Sequence, residues 1–289
     1  MERKSVEDLL GLKRKENHAA PEKWIREGLS TRCLKNFQNI TAASEEEIRQ
    51  ILWLSPESLK SQIRNRRLKP AESDRLYRAA SFIEIALIHF EGDEGSVRTW
   101  LRSPVSGDNP IVPITILGTE GGVELAEHFL WGSYFEFYLR EDQEPSNAET
   151  GSSDKYRDPL SIIGLRRTIN IDEKIRRGFP FRSYELFKKR TLSSAREMYG
   201  ITWLSSRSVA RMRTECRLSA DASDRLYRAA VVFYFVNLML GFDARDTYDW
   251  MHENDPWLGS RRPIDLLGTY PEADAVKGLV WGVLDGAAA

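Results

Sequence analysis

The chain has 289 residues, a net charge of −1 and 41% hydrophobic residues, among them 8 Trp and 12 Phe. That length suits two domains, and the apolar content is enough for packed cores, which excludes disorder over most of the sequence. Near-neutrality excludes a surface that is basic all over, so any nucleic-acid contact must come from local basic faces.

Met1-Glu2-Arg3-Lys4 leads into a charged segment without a long apolar run, so no signal peptide is expected. Cys33 and Cys216 show no metal-ligand spacing and read as reduced thiols of a cytoplasmic protein. Almost everything that follows reads as helix, and the fold class expected is all-α. Ser44-Glu45-Glu46-Glu47 is a capping box opening a helix to about Leu52. A turn at Trp53-Leu54-Ser55 leads to a second helix that begins on Pro56, a favoured first position. Two short helices joined by a tight turn make a helix-turn-helix candidate, about 44–68. A long helix apolar on most faces follows Ser73, which reads as its N-cap with Asp74 in the first turn. Asp93 caps a helix to Trp100, Ile111-Val112-Pro113-Ile114 is a brief alternation broken by proline, and Thr119 caps a final helix. Residues 140–158, rich in Glu, Asp, Ser and Asn, have the composition of a linker.

The same order then recurs. Between Ile25 and Gly132, 32 of 108 positions are identical to the residue 150 further on, without a gap. Ser73 to Ala80 returns letter for letter as Ser223 to Ala230, Trp53-Leu54-Ser55 as Trp203-Leu204-Ser205, and Trp131-Gly132 as Trp281-Gly282. Such a period is too long for a solenoid, so the repeated unit is a domain. The expected layout is two similar helical domains in tandem, 1–139 and 159–289, each a helix-turn-helix part followed by a helical part (about 71–139 and 221–286). The second helix-turn-helix spans about 194–218, Ser223 caps its long helix, and Thr269 with Glu272 makes a capping box on the last. The apolar run Ala229–Phe242 is about 14 residues, short of the roughly 20 a membrane span needs, and reads as a buried core helix.

Several pieces stand in a fixed order in both copies. In the first they are Ile25-Arg26-x-Gly28, Arg67-Leu68, Ser73-Asp74-Arg75-Leu76, Trp100, Pro113-Ile114, Leu117 and Gly132. In the second they are Ile175-Arg176-x-Gly178, Arg217-Leu218, Ser223-Asp224-Arg225-Leu226, Trp250, Pro263-Ile264, Leu267 and Gly282. This ordered set resembles the Xre/MbcA/ParS antitoxin family, over about 230 residues. The resemblance implies an intracellular antitoxin that neutralises a RES-domain toxin consuming NAD+, and often represses its own operon by binding operator DNA. A tandem fusion differs from the family's single-copy, dimerising form and would be a pseudo-dimer within one chain.

On this reading DNA is met by the basic second helices, through Lys60, Arg64, Arg66 and Arg67 in one copy and Arg207, Arg211, Arg213 and Arg217 in the other. Toxin is met by Trp257, Arg261 and Arg262 of the Pro256–Arg262 loop, since Trp and Arg dominate binding hot spots, and by Trp281. Read as structure alone, Trp131-Gly132 and Trp281-Gly282 are core and helix-end features. The first copy has Val105-Ser106-Gly107-Asp108-Asn109-Pro110 where the second has its Trp-Arg loop. None of the four histidines recurs between copies, and no nucleophile–base pair, metal spacing or phosphate loop appears, so no enzyme, cofactor or metal is expected. The alternatives are an immunity-type inhibitor without DNA binding and a transcription regulator without a toxin.

Overall fold

The computed structural model describes residues 4–12, 21–105, 110–132, 158–166, 168, 170–284 and 286. The linker reading at 140–157 and most of the Val105–Pro110 loop lie outside them. The described residues form helices and isolated β-bridges, with no strand. The chain divides into two compact units, Met1–Tyr134 and Phe135–Ala289.

Unit 1 contains α1 (Val6–Leu10), α2 (Pro21–Glu27), α3 (Thr31–Thr41), α4 (Glu45–Leu52), α5 (Pro56–Arg64), α6 (Pro70–His89), α7 (Glu94–Trp100), α8 (Pro113–Ile116) and α9 (Glu120–Trp131). Unit 2 contains α10 (Pro159–Ile162), α11 (Ile171–Arg177), α12 (Phe181–Arg190), α13 (Ala195–Thr202), α14 (Ser206–Thr214), α15 (Ala220–Met239) and α16 (Ala244–His252). Two 3₁₀ turns, Pro256–Leu258 and Pro263–Leu266, precede α17 (Tyr270–Leu284). The bounds of α2, α4, α5 and α6 return 150 residues later in α11, α13, α14 and α15.

In each unit the long helix is the axis. In unit 1, α1, α2, α4 and α9 all pack on α6; in unit 2, α10, α11, α13 and α17 pack on α15. Leu76, Ala80, Ile83 and Ala86 of α6 are buried, as are Leu226, Ala230, Phe233 and Val236 of α15. No single described helix is long and apolar enough to cross a membrane. Among the described residues one pair, α15 with α16, passes by length and composition, bent by 118°.

Ser73 and Ser223 are not N-caps. Helix α6 starts at Pro70 after Lys69, and α15 starts at Ala220 with Ser219 as its cap, accepting from the Ala222 amide. The two serines lie one turn inside. Ser73 Oγ donates to Lys69 O and accepts from Leu29 N, both at 2.8 Å. Ser223 Oγ does the same with Ser219 O and Phe179 N, again at 2.8 Å. Each serine thus ties the segment before α3 or α12 to the central helix. The segment comes close because of a glycine: a Cβ on Gly28 would lie 2.1 Å from Leu68 O, and one on Gly178 2.1 Å from Leu218 O. Both glycines also have positive φ, 87° and 81°, which glycine adopts at least cost.

The repeated octapeptide carries a second duty. Arg78 and Arg228 are fully buried. Arg78 faces Glu120 at 3.5 Å and donates to Gly118 O; Arg228 lies 4.0 Å from Asp224 and over the ring of Tyr270. A buried guanidinium must be paired and hydrogen-bonded, which binds the start of α9 to α6 and of α17 to α15.

Other expectations resolve in detail. Ser44, Thr119 and Asp93 cap α4, α9 and α7. Thr269 Oγ1 donates to Glu272 Oε2 at 2.8 Å, joining the two side chains of the capping box expected there. Gly132 ends α9 in the left-handed conformation, but α17 runs past Gly282 to Leu284, so Gly282 is no helix end. Asp158, assigned to the linker, is the N-cap of α10. Burial pushes the Cys33 thiol up to about 11, while Cys216 is exposed.

Candidate functional site

The second half of unit 2 builds an exposed loop on a buried frame. Asp255 and Arg261 pair across the loop's base, with Asp255 N donating to Arg261 O at 3.1 Å. Asp255 Oδ1 accepts from Trp257 N at 2.7 Å and starts the 3₁₀ turn Pro256–Leu258. Gly259 and Ser260 then turn the chain back with φ of 69° and 56°. Leu258 is buried beneath the loop, and Trp257 at its tip is 85% exposed. An indole held in water by a rigid turn is an unsatisfied apolar surface of the kind that anchors protein interfaces.

The two arginines of this loop are also held within the chain. Arg261 Nη1 pairs with Glu272 Oε1 at 2.8 Å, fastening the loop to α17. Arg262 grips Asp265 through two bonds of 2.8 and 2.7 Å and reaches Glu197 Oε1 of α13 at 3.2 Å. Both guanidiniums therefore brace the frame, and Trp257 projects from it.

Glu197 is the hub of that frame. Its Oε2 accepts from Ser194 N at 2.7 Å in a capping box, and His252 Nε2 stands 3.4 Å from Oε1. The imidazole is stacked on Tyr248 with ring centroids 4.0 Å apart, and its Nδ1 meets Tyr248 O at 2.7 Å. Burial alone would raise the Glu197 pKa; the Ser194 hydrogen bonds and the His252 and Arg262 charges outweigh it and hold the carboxyl below its ordinary value. A cavity of about 520 Å³ opens beside this cluster, lined by Ser194, Arg196, Glu197, Gly200, Arg262, Ile264 and Asp265. In unit 1 the same capping carboxylate, Glu47, is paired with Arg102, the residue at the His252 position, at 3.1 Å.

Trp281 lies on α17, 44% exposed, its ring 4.8 Å from Phe235, with Leu238, Val283 and Leu284 also exposed. In unit 1 the corresponding Trp131 is 55% exposed, 4.9 Å from the His89 ring, with Ile88 exposed. Neither tryptophan is a core residue, because each lies on the outer side of its helix.

All eight arginines and lysines expected to meet DNA are exposed. Arg67 and Arg217, however, already donate to backbone carbonyls: Arg67 to Glu27 O and Gly28 O at 2.8 and 3.0 Å, Arg217 to Arg177 O and Gly178 O at 3.4 and 2.7 Å. Their recurrence reflects the fold. Lys60, Arg64 and Arg66 project from the C-terminal half of α5 and the turn after it. Arg211 and Arg213 of α14 pair loosely with Glu215 and Glu185 at 3.8 and 3.6 Å. Trp53 and Trp203 take the left-handed position that ends α4 and α13, with φ of 58° and 57°. The Arg75 and Arg225 guanidiniums lie 3.8 Å above their rings, a cation–π contact that fixes the helix-turn-helix turn on the central helix. These arginines and the buried Arg78 and Arg228 had no role in the sequence reading. The identity of the octapeptide in both copies was the signal that marked them.

Among the described residues no group of three His, Cys, Asp or Glu could hold a metal ion. What the arrangement offers is a braced loop with an apolar tip and, apart from it, a basic helix pair. One comparison bears on the first.

Residues 236–286 match the Antitoxin Xre/MbcA/ParS C-terminal toxin-binding domain.

No curated protein shows significant similarity to the chain. The matched segment runs from the end of α15 through α16, both 3₁₀ turns and α17, so it contains Trp257, Arg261, Arg262 and Trp281.

Proposed function

We propose that the chain is an antitoxin built of two fused copies, 1–139 and 159–289 with a linker at 140–158, which neutralises a RES-domain toxin that consumes NAD+. It acts in the cytoplasm, holds the toxin through the second copy, and represses its own operon by binding operator DNA. The fusion supplies in one chain the pair of copies that a single-copy antitoxin obtains by dimerising. The observation that carries the reading is the coincidence of the toxin-binding match with the loop that presents Trp257 to solvent.

The test is co-expression with the product of the adjacent reading frame. Growth and cellular NAD+ should be restored by the full chain and fall when it is withheld. If the chain restores neither, the antitoxin reading is wrong.

A further inference from the structure

The two helix-turn-helix faces can be compared position by position, and at two matched positions their charges are opposed. The first helix of such a motif crosses the sugar–phosphate backbone, and the N-terminal residues of the second reach the groove. In unit 1 those places hold Glu46 on α4 and Glu57 on α5; in unit 2 they hold Arg196 on α13 and Arg207 on α14. All four are exposed. One turn into the second helix, Ser61 is replaced by Arg211. Residues 45–67 and 195–217 each carry five Lys or Arg, so the cation count does not separate them; four acids against two do, together with where they stand.

Position decides the electrostatics here. The Lys and Arg of α5 lie toward its C-terminal end and beyond, Glu57 stands in its first turn, and Glu46 on α4 pairs with Arg49. Glu57 is firmly ionised: the hydrogen bond from its own backbone amide, then the Ser55 hydroxyl, hold its pKa below the ordinary value. In unit 2 the positive face extends further. Lys188 and Lys189 at the end of α12 stand where unit 1 has Gln38 and Asn39. With Arg213, its partner Glu185 and the rings of Tyr184 and Tyr199 they line a groove of about 500 Å³ among α12, α13 and α14, where three cations face one carboxylate.

We infer that DNA is engaged by the second unit alone, through Arg196, Arg207 and Arg211 on α13 and α14 with the Lys188–Lys189 groove beside them, and that the first unit, with carboxylates at the two matching positions, is not a DNA contact. This rests on the DNA-binding part of the proposed function and narrows it. The chain reads one half-site, and its operator needs no second half-site at a helical-turn spacing.

The test uses the full chain and a short fluorescein-labelled duplex from upstream of its own reading frame, followed by anisotropy between about 50 and 200 mM salt. Arg196→Gln with Arg207→Gln and Arg211→Gln should weaken binding at least about tenfold and lower the salt slope by two to three, since each lost phosphate contact removes about 0.9. Lys60→Gln with Arg64→Gln and Arg66→Gln should change affinity less than about twofold, and Glu46→Gln with Glu57→Gln should not weaken it. Circular dichroism confirms folding of each variant. If the unit 1 set weakens binding as much as the unit 2 set, the asymmetry is wrong while DNA binding stands. If the wild-type chain binds no duplex at low salt, both fall together.

Discussion

Trp257→Ala is the perturbation whose size can be worked from the structure. A buried Trp removes up to about 250 Å² from water, and this one is 85% exposed, so about 200 Å² is available to a partner. At about 25 cal/mol per Å² that is about 5 kcal/mol as an upper limit. Ordering the partner's side chains and imperfect burial reduce it to about 2–4 kcal/mol, the range of an interface hot spot. The dissociation constant for the toxin should therefore rise at least thirtyfold, at about 1.4 kcal/mol per decade. The indole makes little contact within its own chain, so the melting temperature should move by no more than about 1 °C. Titration calorimetry with purified toxin measures the first and differential scanning fluorimetry the second. A loss of affinity below about threefold in a folded variant would refute the assignment of Trp257 as the anchor.

Arg262→Ala should act differently, because the side chain braces the frame. It should lower both stability and toxin affinity, by about 1–2 kcal/mol for the loss of a bidentate carboxylate pair, read by denaturation and calorimetry together. Gly178→Ala should cost about 3 kcal/mol, because the new Cβ meets Leu218 O at 2.1 Å with φ of 81°; urea unfolding of the full chain measures it. Arg78→Met strands Glu120 in the core and should destabilise unit 1 by about 3 kcal/mol, with Glu120→Gln in the same chain recovering part of it. Glu47 and Glu197 have folded pKa values below the ordinary carboxylate value, Glu197 for the reasons given and Glu47 because Ser44 and Arg102 outweigh burial. Their contribution is complete above the unfolded pKa of about 4.3 and is lost as pH falls through the folded values. Glu47→Gln with Glu197→Gln should therefore flatten the fall in melting temperature below about pH 5.

Caps and periodicity made most helices legible in the sequence. Ser44 with Glu47, Pro56 as a first position and Asp93 each mark a boundary through a local hydrogen bond or a fixed φ, and local signals survive without tertiary context. The start of α6 was misread at Ser73 because serine serves equally as a cap and as an internal hydroxyl that bonds back to the previous turn. Only the approach of Leu29 decides between them, and that is a long-range fact. The carbonyl contacts of Arg67 and Arg217 were not legible for the same reason, since a partner 40 residues away leaves no mark in composition. The exposure of Trp257 was legible because it stands on a short loop between Pro256 and Arg262, with no helix face to bury it. The bracing of Arg261 and Arg262 was not, because Glu272, Asp265 and Glu197 come to them from three separate elements.

The central claim is that this chain holds a toxin through the segment from the end of α15 to α17. Hydrogen–deuterium exchange on the full chain, with and without the purified toxin, tests it directly. The account predicts slowed exchange in the peptides covering residues 255–262 and 270–284, with residues 21–105 unchanged. Protection confined to residues 21–132, or no protection at saturating toxin, would contradict it.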